Sequence, residues 1–271
     1  MRLINRKPGN GARLALGCLP FAALLIAYAA GSAMRLAENP NDKLLPGLTA
    51  LVSAINRMAF IADPRTGDYL LLTDTLSSLT RLYSGLGISA AIALALGLLI
   101  GLIPLVRALM APFVAAISMV PPLALLPILF IVMGLGEASK VTLIVIGVTP
   151  ILIRDLALTA LALPREQIVK AETLSASSWQ LALRVMLPQI LPRLITALRL
   201  QIGPAFLFLI AAEAISSESG LGFRIFLVRR YLAMDVIFPY VAWITLIAVL
   251  SDYLLDRLRI GLFPWSELEA R

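Results

Sequence analysis

Long apolar stretches separated by short polar ones set the pattern of this chain. Residues 14–34, 82–106 and 108–136 carry no charged side chain at all, and roughly 20 consecutive apolar residues suffice to cross a bilayer. The runs do not alternate polar with apolar, so they predict membrane-spanning helices and not the strands of a barrel. Three further apolar stretches, residues 141–163, 194–215 and 235–253, carry only a few charges each. The fold class expected is an all-α integral membrane protein with about six transmembrane helices. Their approximate limits are 14–34, 75–103, 108–133, 141–163, 194–215 and 235–253.

The polar intervals give each crossing its setting. Residues 1–13 hold Arg2, Arg6, Lys7 and Arg13 and no acid, a flank that keeps an N-terminus in the cytoplasm. The first run is read as an uncleaved helix and not as a signal peptide, although Gly31-Ser32-Ala33 resembles a small-residue cleavage site. Residues 35–74 form the first external loop. Within it Leu44, Leu48, Leu51, Val52, Ile55 and Ala59 recur at helical spacing, predicting an amphipathic helix flat on the outer surface or capping the bundle. In the second span Gly85, Gly87, Gly97 and Gly101 are spaced for close helix contact.

Proline marks the third span. Pro121, Pro122 and Pro127 each remove a helical hydrogen bond, and in lipid such a break is tolerated only against protein or a water-filled path. A broken pathway helix and a kinked packing helix are both compatible with that. Residues 134–140 read as a polar external turn and lack the spacing of a phosphate loop. Arg154 and Asp155 lie toward the inner end of the fourth span. Intramembrane charges point first to function, though an ion pair or snorkelling serves equally. Arg224, Arg229 and Arg230 in the last external loop run against the positive-inside count. The basic N-terminus and Arg257 and Arg259 after the sixth span support it, and six crossings put both termini in the cytoplasm. Residues 261–271 form the C-terminal tail.

Composition confirms the class. Of 271 residues 60% are hydrophobic and only 14% charged, with a mean hydropathy of +0.92, where soluble domains are about a quarter charged. The net charge of +7 fits basic cytoplasmic loops, and no nucleic-acid partner is expected. One cysteine, Cys18, excludes an internal disulfide, and the absence of histidine excludes histidine metal sites and proton relays.

Between the fourth and fifth spans, residues 164–192 form the longest charge-bearing stretch in the apolar second half of the chain. Ile168, Ala171, Leu174, Leu181 and Val185 make an amphipathic stripe, predicting two short helices around residues 175–178. Pro188 and Pro192 bound the start of the fifth span. From spacing alone this is as readily an ordinary interfacial helix.

Ser175, nine residues, then Val185-Met186-Leu187-Pro188 follows the pattern G-x9-I-x-L-P with conservative changes. With it stand Val120-Pro121-Pro122-Leu123-Ala124-Leu125-Leu126-Pro127, then Gly134, Gly136, Glu137, Ser139 and Lys140. Ala211-Ala212-Glu213, Ser219-Gly220-Leu221-Gly222-Phe223, Tyr231-Leu232-Ala233-Met234-Asp235 and Pro264-Trp265 follow in order. Over residues 70–265 the chain resembles the permease subunits of ABC importers, closest to the taurine/nitrate/sulfonate type. It departs where Val169, Lys170 and Ala171 stand for the usual E-A-A, of which only the last alanine survives, and where Ser175 replaces the glycine between the coupling helices.

The resemblance implies a subunit of the bacterial inner or plasma membrane that forms the pathway for a small solute, a sulfonate, nitrate, bicarbonate or similar anion. Its cytoplasmic loop would couple to a separate ATPase dimer through Ala171, Leu174, Ser175, Ala176, Ser177, Leu187 and Pro188. The chain carries no nucleotide-binding motif, so ATP and Mg belong to that partner, and no cofactor or enzymatic activity is expected here. A second permease copy, a periplasmic or lipid-anchored binding protein and membrane lipid complete the expected partners. Pro121, Pro122, Arg81, Arg154 and Glu213 are the pathway or gating candidates. The rival reading is an autonomous secondary transporter or channel, which calls for inverted repeats and an ion-coupling charge network; neither is evident. A membrane-embedded enzyme finds no plausible base beside Cys18.

Overall fold

The computed structural model describes residues 9–40, 42–64 and 67–267. Arg2, Arg6, Lys7 and Arg65, together with residues 268–271 of the C-terminal tail, lie outside the described residues. The chain divides into two units: Met1–Tyr69 with Val228–Val241, and Leu70–Leu227 with Ala242–Arg271.

The first unit is built on α1 (Asn10–Glu38), which is apolar and exposed along most of its length, as a helix facing lipid must be. Its last turns hold the segment that follows. Tyr28 donates to the Pro46 carbonyl at 2.7 Å and Ser32 to the Leu45 carbonyl at 3.0 Å. Arg35 pairs with Asp42, whose carboxyl is held below its usual range by the Leu44 amide first and Arg35 second. Then comes α2 (Leu48–Phe60). Its 13 residues rise about 20 Å, too short to cross, as the interrupted stripe predicts. Arg57 reaches Asp235 at 3.5 Å in the first turn of α11 (Met234–Leu262), and Tyr28 meets Phe238 edge to face at 5.4 Å.

The second unit begins with α3 (Leu70–Leu102) and α4 (Pro104–Ile117), followed by the 3-10 turn Pro122–Leu125 and α5 (Leu126–Met133). It continues with α6 (Glu137–Leu161), α7 (Arg165–Thr173) and α8 (Ser178–Gln180). A π turn at Leu181–Met186 leads into α9 (Leu187–Ser216), then α10 (Leu221–Arg229) and the rest of α11.

Glycine sets the closest packing. A β-carbon would lie 2.7 Å from Ile144 at Gly85, 2.7 Å from Leu156 at Gly97 and 2.3 Å from Ala160 at Gly101. The two backbones therefore approach as small-residue interfaces allow. Of the four glycines singled out by spacing, Gly87 faces open space.

Those pairings also fix direction. Residue numbers on α3 and α6 rise together, so the helices are parallel. Trp243 with Thr75 at 2.9 Å and Tyr83 with Ser251 at 2.6 Å make α11 parallel to α3 in the same way. The Asp155–Arg193 pair and the seat of Phe208 over Gly147 run in opposite numerical sense, so α9 returns antiparallel. Since α3 and α6 are parallel, the chain between them must recross. The α4–α5 pair, bent by 82° at its break, makes that crossing.

Among the described residues five helices are long and apolar enough to span, and six crossings result when the bent pair counts as one, in line with the expected count. Three details differ. The third span is two helices and not one, because Pro121 and Pro122 interrupt the ladder. The second span begins at Leu70, and Glu137 to Lys140 form the first turn of α6, so polar residues read as loop lie inside helices. The second coupling helix is not separate from the fifth span: Ser178–Ser216 is continuous. Leu187 donates to Ala182, five residues back, which widens the turn just ahead of Pro188, where no N–H is available.

Candidate functional site

Where α6 ends and α9 begins, the chain leaves the bundle in a tight, exposed turn. Pro164 precedes α7, which ends at Thr173. Ser175 then takes φ +61°, the left-handed conformation that closes a helix. Ala176 donates to the Ala171 carbonyl at 3.0 Å and Ser175 to the Glu172 carbonyl at 2.9 Å, the paired bonds of a Schellman cap. Two residues later Ser177 caps α8: Gln180 donates its amide to Ser177 Oγ at 3.3 Å and accepts the Ser177 amide at 2.9 Å. This capping box satisfies backbone groups that would otherwise be orphaned.

Of the predicted coupling residues, Leu174, Ser175 and Ser177 are exposed and Ala171 and Ala176 half-exposed. Leu187 and Pro188 sit at the root of the turn, partly buried at the start of α9. Leu174 is 82% exposed and Trp179 71%, large apolar side chains in the open on a hydrogen-bonded scaffold. Gln189 donates to Gln167 at 2.9 Å, tying α7 to α9.

Serine is costly at φ +61°, where a side chain meets the backbone and glycine does not. Replacing Ser175 by glycine is expected to stabilise the closed turn by about 1 kcal/mol, slowing exchange of the Ala176 amide about fivefold. Hydrogen exchange on the purified chain reads this directly, and an unchanged rate would contradict it.

At the opposite end of α6 lies a buried polar cluster. Glu213 of α9 is fully buried and Arg81 of α3 is 6% exposed. Arg81 Nη1 donates to Glu213 Oε1 at 2.6 Å and to the Ser219 carbonyl at 2.8 Å, while its Nη2 donates to Glu137 Oε1 at 2.8 Å. Glu213 also accepts from Ser78 at 2.8 Å and from the Gly222 amide at 2.8 Å. Lys140, 3% exposed, reaches Glu137 at 2.9 Å. Asp74, fully buried, takes Arg224 at 2.8 Å and the Gly220 amide at 2.9 Å.

Three cations thus meet three carboxylates, and the segment from Ser217 to Leu221 is pinned between α3 and α9. Gly220 permits it, since a β-carbon there would stand 2.5 Å from Glu213 Oε1.

Arg154 is elsewhere. Its Nη1 is 2.9 Å from Ser118 Oγ at the end of α4, beside the break that holds Pro121 and Pro122. The structure thus brings Arg81 and Glu213 together and sets Arg154 with the proline break. Asp155 points away from Arg154 to Arg193, at 2.8 Å.

Sequence reasoning missed Asp74, Ser78, Glu137 and Lys140 as members of the cluster. Asp74, Ser78 and Arg81 are spaced i, i+4, i+7, a polar stripe on one helix face that a helix begun at Leu70 would have revealed. Trp179 and the Ser177–Gln180 box were also passed over, though serine three residues before glutamine is a readable start signal.

A family model described as binding-protein-dependent transport system inner membrane component matches residues 85–262. The taurine transport system permease protein of Escherichia coli (strain K12) is 34% identical over 216 residues, covering 78% of this chain and 77% of that protein. The bicarbonate transport system permease protein of Synechococcus elongatus is 34% identical over 157 residues, 57% of this chain and 56% of that protein. Among solved structures, an inward-facing form of the MetNI methionine ABC transporter aligns with a TM-score of 0.63 at 19% identity. That alignment covers 72% of this chain and 96% of the other and is a likeness of fold.

Proposed function

The chain belongs to the family of binding-protein-dependent transport system inner membrane components, and on that premise we propose that two copies line the route of a small anion, a sulfonate or comparable oxyanion. It is an integral membrane permease subunit of an ATP-driven importer. The turn at Leu174, Ser175, Ala176 and Ser177, with Ala171 behind it and Leu187 and Pro188 at its root, docks on a separate ATPase subunit that carries ATP and Mg. A periplasmic or lipid-anchored binding protein delivers the solute to the opposite face.

One observation carries the coupling role. The turn is capped at both of its helices, exposes Leu174 and Trp179, and continues without interruption into α9. A push on it is therefore delivered along a rigid rod into the membrane. With six crossings, a cytoplasmic turn puts both termini in the cytoplasm, beside Arg257 and Arg259, as basic flanks favour. The anion assignment rests on likeness to a taurine and a bicarbonate permease.

The test is purification of the tagged chain from its native membrane in mild detergent, with the mass of the complex measured. Two permease and two ATPase subunits are expected. Recovery of the chain alone across several mild conditions would overturn the proposal. Uptake of labelled taurine against bicarbonate, with and without the chain, then assigns the solute.

A further inference from the structure

Arg154 stands seven residues before the end of α6, about 10 Å of helix rise. Ile151, Leu158 and Leu161 share its face and are exposed. The other basic side chains of α6 and α9, Lys140, Arg193 and Arg199, each sit on a carboxylate. Among the described residues Arg154 bonds the Ser118 hydroxyl alone. Of the five N–H donors of a guanidinium, four have no acceptor among the described residues.

The Arg154 side chain reaches across to α4. Gly101 packs on Ala160, so the end of α3, the start of α4 and the end of α6 lie together. Ser118 lies at the far end of α4, so the guanidinium is held beside the α4–α5 break.

An unneutralised cation on an apolar face is expensive against lipid and marks a pathway by default. The adjoining break exposes Pro121 and leaves the helix ladder interrupted, which lipid does not accommodate. A plain cap of α4 would bond its last carbonyls. Here the contact is to a hydroxyl that itself donates to the Ala115 carbonyl at 2.8 Å.

We propose that Arg154 is a substrate-contacting residue of the pathway, its free donors receiving two oxygens of a sulfonate or similar oxyanion beside the α4–α5 break. A homodimer presents two such guanidiniums. The proposal rests on the anion-importer reading above. The planar fork suits a two-oxygen acceptor, whereas lysine offers only a point charge.

The complex of permease, ATPase and binding protein is reconstituted in vesicles with taurine as the probe, and uptake is scaled to the amount of assembled complex. Arg154→Gln is expected to lower maximal uptake about tenfold while leaving stimulated ATP hydrolysis within about twofold. Arg154→Lys should recover part of the loss, and Ser118→Ala, which frees the guanidinium without removing it, should cost less uptake than Arg154→Gln.

Wild-type uptake per complex in Arg154→Gln overturns the proposal. So does a result in which Arg154→Gln and Ser118→Ala lower the unfolding temperature alike without changing uptake per complex, because Arg154 is then a cap. If the wild type carries neither taurine nor bicarbonate, the anion reading fails and this inference falls with it.

Discussion

Glu213→Ala is expected to destabilise the second unit by about 3–5 kcal/mol, the largest single-residue effect in the chain. The carboxylate is fully buried and takes Arg81, Ser78 and the Gly222 amide. Its loss strands a guanidinium that is itself 6% exposed and opens the hold on the segment from Ser217 to Leu221. Glu137 remains to Arg81, but its side chain is 63% exposed, so it replaces only part of the interaction. Breaking one side of a buried pair is costly, whereas replacing both sides by apolar groups is often neutral. The double variant Arg81→Met, Glu213→Leu should therefore recover much of what Glu213→Ala loses. Thermal unfolding in detergent measures both. A Glu213→Ala variant that unfolds with the wild type would mean that the cluster contributes nothing net.

The coupling turn gives the second large effect, on function and not on fold. Ser175→Val combined with Ser177→Ala should remove the ATPase from the purified complex and abolish uptake, while the bundle still assembles. A β-branched residue is an outlier at positive φ, and loss of the Ser177 cap costs about 1 kcal/mol. Together with the strain at residue 175 the closed turn weakens by about 3 kcal/mol, roughly a hundredfold in population. Co-purification of the ATPase at wild-type level with normal uptake would show that the partner does not read this turn. Leu174→Asp separates shape from contact, since it leaves both caps intact and charges the most exposed apolar residue of the turn.

The difference between serine and glycine at position 175 shows what local sequence can carry. That the turn needs a left-handed residue is implied by the resemblance to coupling loops, and Ser175 does adopt φ +61°. The capping box at Ser177 and Gln180 was equally local and equally readable. By contrast, the amphipathic stripe gave two short helices but not the continuity of the second with the fifth span. That continuity depends on the π turn at Leu181–Met186, which no periodicity announces.

What the sequence determined by itself is the solvent and the plan. Length and hydropathy are local properties, so six crossings, the short α2, the proline break and the coupling turn follow from stretches of about 20 residues. The family follows from ordered motifs. Only the tertiary structure decided which charges are neutralised. Asp74 and Glu137 sit next to loops in sequence, and Arg81 and Glu213 are 132 residues apart. They meet because α3 and α6 pack in parallel through Gly85, Gly97 and Gly101, and because α9 returns beside them. The same packing takes Asp155 to Arg193 and leaves its neighbour Arg154 with a hydroxyl. In a bilayer each buried charge must find its partner within the bundle, and that choice is made by helix direction and register, which no single segment contains.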